Sequence, residues 1–292
     1  MIANLGNTVI MLSFLFIIGC VAGWVIELVF RKFFGAHNPD HKWINPGFLI
    51  GPYLPIYGFG LVVLFMLSLI PYLEFEGLLP KEDWARTLVT ILIIGISLTV
   101  LEYIAGIIFI KWLHVRLWDY SKCWGNIQGI ICPRFSLFWT LGGAGYYFLL
   151  RKPMIQLAKW IIANKGFCLI IGMVYGVFLV DLFYSFQLIA KIRKFAADKQ
   201  IIVRYEELKA TIRQKAEDSK EKVRFLFLVP AENNIQAMLH KYAEKLEGYA
   251  NKIDEYKADY KEKMEEYKEE YKEAIDGLKE RIGEIASGDN KK

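Results

Sequence analysis

Over its first two-thirds the chain alternates long apolar runs with short polar connections, and then it changes character. The apolar runs occupy residues 8–30, 48–70, 87–110, 126–150 and 168–188. Each holds about 20 or more residues, which at 1.5 Å rise per residue crosses a hydrocarbon core of about 30 Å. The pattern predicts an all-α polytopic membrane bundle of about five transmembrane helices over 1–188. Beyond the fifth run, Ile189, Ile192, Phe195 and Ala196 continue a helical stripe. Val203, Leu208, Ile212 and Val223 extend it, so 189–230 reads as basic amphipathic juxtamembrane helix ending at Pro230. From Ile235 the apolar positions alternate steps of four and three through Tyr260, and the stripe runs on to Ile285 with extra four-residue steps after Tyr260 and Tyr271. This predicts one long charged helix over 231–286, a candidate coiled coil whose extra steps relax a left-handed supercoil. Its stripe needs a cover, supplied by self-association or a partner helix, or by folding back on residues 200–229. Residues 287–292 read as a disordered tail.

Charge refines the picture. The net charge of +5 divides into +4 for 1–188, +5 for 189–230 and −4 for 231–292. A basic excess beside the last apolar run suits an anionic membrane surface, not a nucleic acid. Arg31, Lys32 and Lys42, then Lys111, Arg116 and Lys122, then Lys191, Arg193, Lys194 and Lys199 flank alternate ends of the runs. This places the chain in a cell membrane with its N-terminus outside and its C-terminal tail in the cytoplasm. The opposing connection 151–167 is also basic, and Ile155, Trp160 and Ile162 interleave with its lysines as in an interfacial helix. No basic region precedes the first run, so it reads as a retained span rather than a cleaved signal.

The densest local signal is Asn45–Gly60. Pro52 and Pro55 lack a backbone N–H, and Gly47, Gly51, Gly58 and Gly60 permit close backbone approach. Such a segment is tolerated in a membrane only where protein or water covers it, so it is expected at the centre of the bundle. Four charges fall inside the runs: Glu27, Glu102, Arg134 and Asp181. By linear position they lie at similar depth near one face. Two readings stay open: a polar intramembrane site with Arg134 offset by the carboxylates, or a structural lock in which Arg134 pairs with one of them while Asp181 snorkels to the interface. Trp118-Asp119-Tyr120-Ser121, followed by Asn126, Gln128 and Gly129, reads as a cap or turn with an aromatic belt. His37 and His41 bracket Pro39, which argues against a helical metal site, and the four cysteines have no metal-ligand spacing. No phosphate-binding loop and no nucleophile–base pair occurs, so no cofactor, metal or catalytic residue is expected.

Three clusters together resemble the bacterial membrane family of ABC-transporter type IV, CmpB-like permeases, over roughly residues 14–150. They are Gly23-Trp24 with Glu27, then Asn45-x-Gly47-Phe48-Leu49-x-Gly51-Pro52-x-x-Pro55-Ile56-Tyr57-Gly58-x-Gly60, then Glu102-Tyr103 with Trp118-Asp119-Tyr120-Ser121, Asn126, Gly129 and Cys132. The chain departs from the pattern at Pro46, where a basic residue is expected, and at Pro133-Arg134. The resemblance implies a permease-type membrane protein in a transport system whose ATPase is a separate subunit. The competing class is a non-transporting scaffold or sensor whose coiled coil recruits a partner.

Overall fold

The computed structural model describes residues 5–35, 38, 41–69, 82–210 and 239–248, with further residues between 251 and 275. It is helical with almost no strand, and it divides into two compact units, Met1–Glu232 and Asn233–Lys292. In the first unit α1 (Leu5–Phe34) ends with Arg31 and Lys32 in its last turn, where cations complement the unsatisfied carbonyls. α2 (Pro55–Leu67) follows, then α3 (Asp83–Ile107), which passes into a π-helical turn at Ile108–Trp112. α4 (Pro133–Gly145) likewise runs through a π turn at Tyr146–Leu150 into α5 (Arg151–Ala163), and α6 spans Cys168–Asp198.

Three of these helices are long and apolar enough to cross a membrane, not five: Leu5–Phe34, Asp83–Trp112 and Lys165–Asp198. The excess in the sequence count has a local cause. Pro55 and Pro133 stand in the first helical turn, where a missing N–H costs nothing. Residues 48–54 and 126–132 are therefore irregular backbone. The 13 residues of α2 reach about 20 Å, and Arg134 and the Trp, Tyr, Gly and Ser content dilute the fourth run.

Close approach between helices depends on glycine. A Cβ on Gly19 would lie 2.7 Å from the Tyr57 carbonyl oxygen and 2.9 Å from Gly58 Cα, so α1 and α2 pack backbone to backbone. Gly95 faces Thr140, and Gly143 faces Ile94, between α3 and α4. Gly142 and Gly145 meet nothing within 4 Å, so the Gly-rich run of α4 packs through Gly143 alone of these three. At the far end of α1, Met11, Leu15, Phe65 and Ala158 form a core cluster, which seats α5 against α1. α6 packs Phe178 onto Cys20, Leu49 and Tyr53 but leaves Val177, Leu179, Val180 and Phe183 exposed, as a lipid-facing helix does.

Within the amphipathic helical stretch expected over 201–229, residues 201–204 are not helical. Val203–Arg204 (β2) pairs in parallel with Val115–Arg116 (β1), and helix resumes at 205–210. In the second unit, residues 239–248 are helical, as are the described residues through 275, and Tyr260, Met264 and Tyr267 of the stripe are exposed. No coiled-coil pairing is present among the described residues. The expected helix over 211–229, the start of the charged helix at 231–238, the tail 287–292 and His37 lie outside them.

Candidate functional site: a carboxylate layer beneath the motif loops

Two segments build one end of the helix bundle. In the first, Trp24 Nε1 donates to Asn45 Oδ1 at 2.6 Å, and Asn45 Nδ2 donates to the carbonyls of Leu49 (3.1 Å) and Ile50 (2.9 Å). Gly47 takes φ +72°, a conformation in which a side chain would be strained and would strike Leu54. Leu54 N then bonds Cys20 O at 3.0 Å, and α2 starts at Pro55. Asp181 clamps this loop from α6. Its carboxylate accepts from Ile50 N (3.0 Å), Gly51 N (2.8 Å) and Ser185 Oγ (3.0 Å). At Gly51 an added Cβ would sit 2.9 Å from Asp181 Oδ2, and Pro52 follows in the irregular stretch.

The second segment is the connection from α3 to α4. Asp119 Oδ1 accepts from Ser121 N at 3.0 Å and also from the Ser121 hydroxyl, which is a turn and not a helix cap. Arg116 (3.1 Å) and Arg204 (3.3 Å) flank the same carboxylate. Burial works against its charge, but the Ser121 hydrogen bonds and then the two guanidiniums hold it below the usual carboxylate range. Asn126 bonds the Ser121 and Cys123 carbonyls and accepts from Gly129 N, and Trp118 Nε1 donates to Ile130 O. Trp118 and Tyr120 thus turn inward, and Trp124 is the belt residue that stays exposed.

Tyr120 of the second segment, Tyr57 of α2 and Trp139 of α4 donate to two carboxylates on the apolar helices α1 and α3. Glu102, only 4% exposed, accepts from Tyr120 OH at 3.0 Å on one oxygen and from Trp139 Nε1 at 2.9 Å on the other. Tyr120 is fixed by stacking on Phe135 at 4.3 Å and 10°. Burial, then the Glu102 carboxylate, pushes the Tyr120 phenol far up, so it remains a donor. Glu27 accepts from Tyr57 OH at 3.0 Å and from Arg31 Nε at 2.8 Å. Tyr57 and Trp139 meet edge to face with centroids 5.7 Å apart, which joins the two carboxylates into one layer.

Of the four charges expected inside apolar runs, Glu27 and Glu102 share this layer. Asp181 is spent on the backbone of the entry loop. Arg134 is exposed and, among the described residues, pairs with no carboxylate; the cation at Glu27 is Arg31. Arg134, expected well inside a span from 126 to 150, stands in the first turn of α4, which begins at Pro133. Sequence reasoning did not find Trp139, Glu206 or Lys209. A tryptophan or tyrosine inside an apolar run, whose polar tip needs a partner, was the available signal for Trp139. No group of three or more metal-ligating side chains occurs among the described residues.

A family model described as "Putative ABC-transporter type IV" matches residues 14–186, more than half of the chain, and extends into α6 as far as residue 186, which the motif resemblance did not reach. No curated protein and no solved structure matches.

Proposed function

From membership in the family described as Putative ABC-transporter type IV, to which this chain belongs, we propose that it is the permease-type membrane subunit of a transport system. Its Glu27–Tyr57–Trp139–Glu102 layer is the polar site on the route. The observation that carries this reading is Glu102: a carboxylate 4% exposed, inside an apolar helix, whose two donors are both neutral aromatics. A lock would be expected to pair such a group with a cation, because an uncompensated buried charge costs several kcal/mol. Among the described residues no cation lies within ion-pair distance of Glu102. The basic flanks of the helix ends orient the motif loops and the tail toward the cytoplasm, with the N-terminus outside. The chain itself carries no phosphate-binding loop, so ATP hydrolysis falls to a separate subunit.

The second reading, a scaffold or sensor that recruits a partner through residues 231–286, is favoured by the exposed Tyr260, Met264 and Tyr267 stripe. Mild-detergent purification of the full-length protein from its native membranes separates the two. The permease reading predicts that a P-loop ATPase co-purifies in fixed ratio. Recovery of the protein alone, or with partners that are lost on deletion of 231–292, would favour the scaffold.

A further inference from the structure

The segment that follows α6 returns to the carboxylate layer. It lies outside the family-matched region, which ends at residue 186. Val203, Tyr205 and Leu208 are buried, and Lys209 is 5% exposed. β2 adds a parallel strand pair to the second motif loop, with Val203 N on His114 O at 3.0 Å. Glu206 accepts from Arg31 Nη1 at 2.7 Å, so one guanidinium bridges Glu27 of the layer and Glu206 of the returning segment. Lys209 Nζ then reaches Glu206 at 3.3 Å and the Asn45 carbonyl at 3.2 Å, on the first motif loop. The chain of contacts from Tyr57 through Glu27, Arg31, Glu206 and Lys209 to Asn45 is continuous.

We propose that residues 203–210 are a latch that closes the carboxylate layer from the face bearing the motif loops. The attachment suits a device that releases. Besides a two-residue strand pair and three buried apolar side chains, it rests on ion pairs: the shared Arg31–Glu206–Lys209 cluster, with Lys209 also on the Asn45 carbonyl, and Arg204 on Asp119. A buried ion-pair cluster loses much of its attraction to desolvation, and on release its members rehydrate, so undocking is not strongly opposed. Glu27 keeps Arg31 when Glu206 leaves, so opening strands no charge in the layer.

The inference rests on the layer being reachable by water, and the test separates the two ideas. In the full-length protein with its four cysteines changed to serine, Tyr57→Cys is labelled in inside-out membrane vesicles by a charged methanethiosulfonate reagent. It is compared with the same protein carrying Glu206→Gln and Lys209→Met, and with one carrying Lys209→Arg. The latch predicts that the double change speeds labelling by about tenfold or more. Lys209→Arg stays slow, and hydrogen exchange of the α1 interior is unchanged in all three. Equal labelling with and without the double change overturns the latch alone. Absence of labelling in every variant overturns it together with a water-reachable layer. Faster labelling accompanied by faster exchange throughout α1 also overturns it, because the segment is then a structural prop.

Discussion

Tyr120→Phe removes a single hydroxyl from the layer and keeps the ring stacked on Phe135. The Glu102 oxygen it served, in a residue 4% exposed, is then left without its donor. A buried acceptor deprived of its partner costs about 1–3 kcal/mol. The carboxylate keeps its bond from Trp139, which sets the loss toward one group rather than two. The cost should vanish when the acceptor is absent. In a Glu102→Leu background the same change frees a buried hydroxyl that has already lost its partner, so it should be neutral or mildly stabilising. A double-mutant cycle should return a coupling of about 1–2 kcal/mol. Unfolding in mixed detergent and dodecyl sulfate, followed by tryptophan fluorescence, supplies the four free energies. Tyr103→Phe, one residue along α3, is the control for loss of a hydroxyl elsewhere. The reasoning is refuted if Tyr120→Phe costs the same with leucine at 102, or no more than Tyr103→Phe.

Other outcomes follow from the same contacts. Gly19→Ala should destabilise by about 1–3 kcal/mol, since its Cβ meets backbone in α2, whereas Gly142→Ala should be neutral; equal stability would mean α1 and α2 do not touch. Asp181→Ala should cost about 1–3 kcal/mol and speed hydrogen exchange at Ile50 and Gly51, while exchange in α3 stays constant. Burial opposes the charge of Glu206, but Lys209 and Arg31 hold its carboxyl down from the ordinary 4.5 to about 2. A depressed carboxylate contributes its stability above the unfolded value and loses it as pH falls through the folded one. Docking of 203–210 should therefore be constant from neutral pH to about 4.5 and weaken toward pH 2, by about 3 kcal/mol at most. A spin label at Ala210→Cys that gains mobility on raising the pH instead would contradict the assignment.

The fold class and the importance of Asn45–Gly60 were legible because both are local. Apolar run length marks a membrane helix, and glycines and prolines at close spacing mark irregular backbone whichever way they are used. What the prolines do was not legible. Pro55 and Pro133 begin helices instead of interrupting them, so two of five runs shortened. Glu27 and Glu102 stood out as charges in apolar surroundings, but their partners depend on packing: Trp139 lies 37 residues from Glu102, and Tyr57 lies 30 from Glu27. Arg134 read as the cation of the site or lock and Asp181 as a site carboxylate or a snorkelling charge, and only packing separates an exposed cation from a loop clamp. The return of 203–210 is the least legible feature. Its Val203 and Leu208 fit the predicted amphipathic stripe, yet Val203 is used in a strand pair set by a loop 88 residues earlier.

The permease reading requires that water can reach the Glu27–Glu102 layer from one face, past the 203–210 latch. Labelling of position 102 tests it directly, with Glu102→Cys as the only cysteine in the full-length protein and a charged thiol reagent applied to each face of oriented membranes. A reachable layer gives slow reaction from the face bearing the motif loops, faster with Glu206→Gln and Lys209→Met, together with retained folding by size-exclusion profile and no reaction from the opposite face. A folded protein that reacts from neither face, or only from the opposite one, would contradict it.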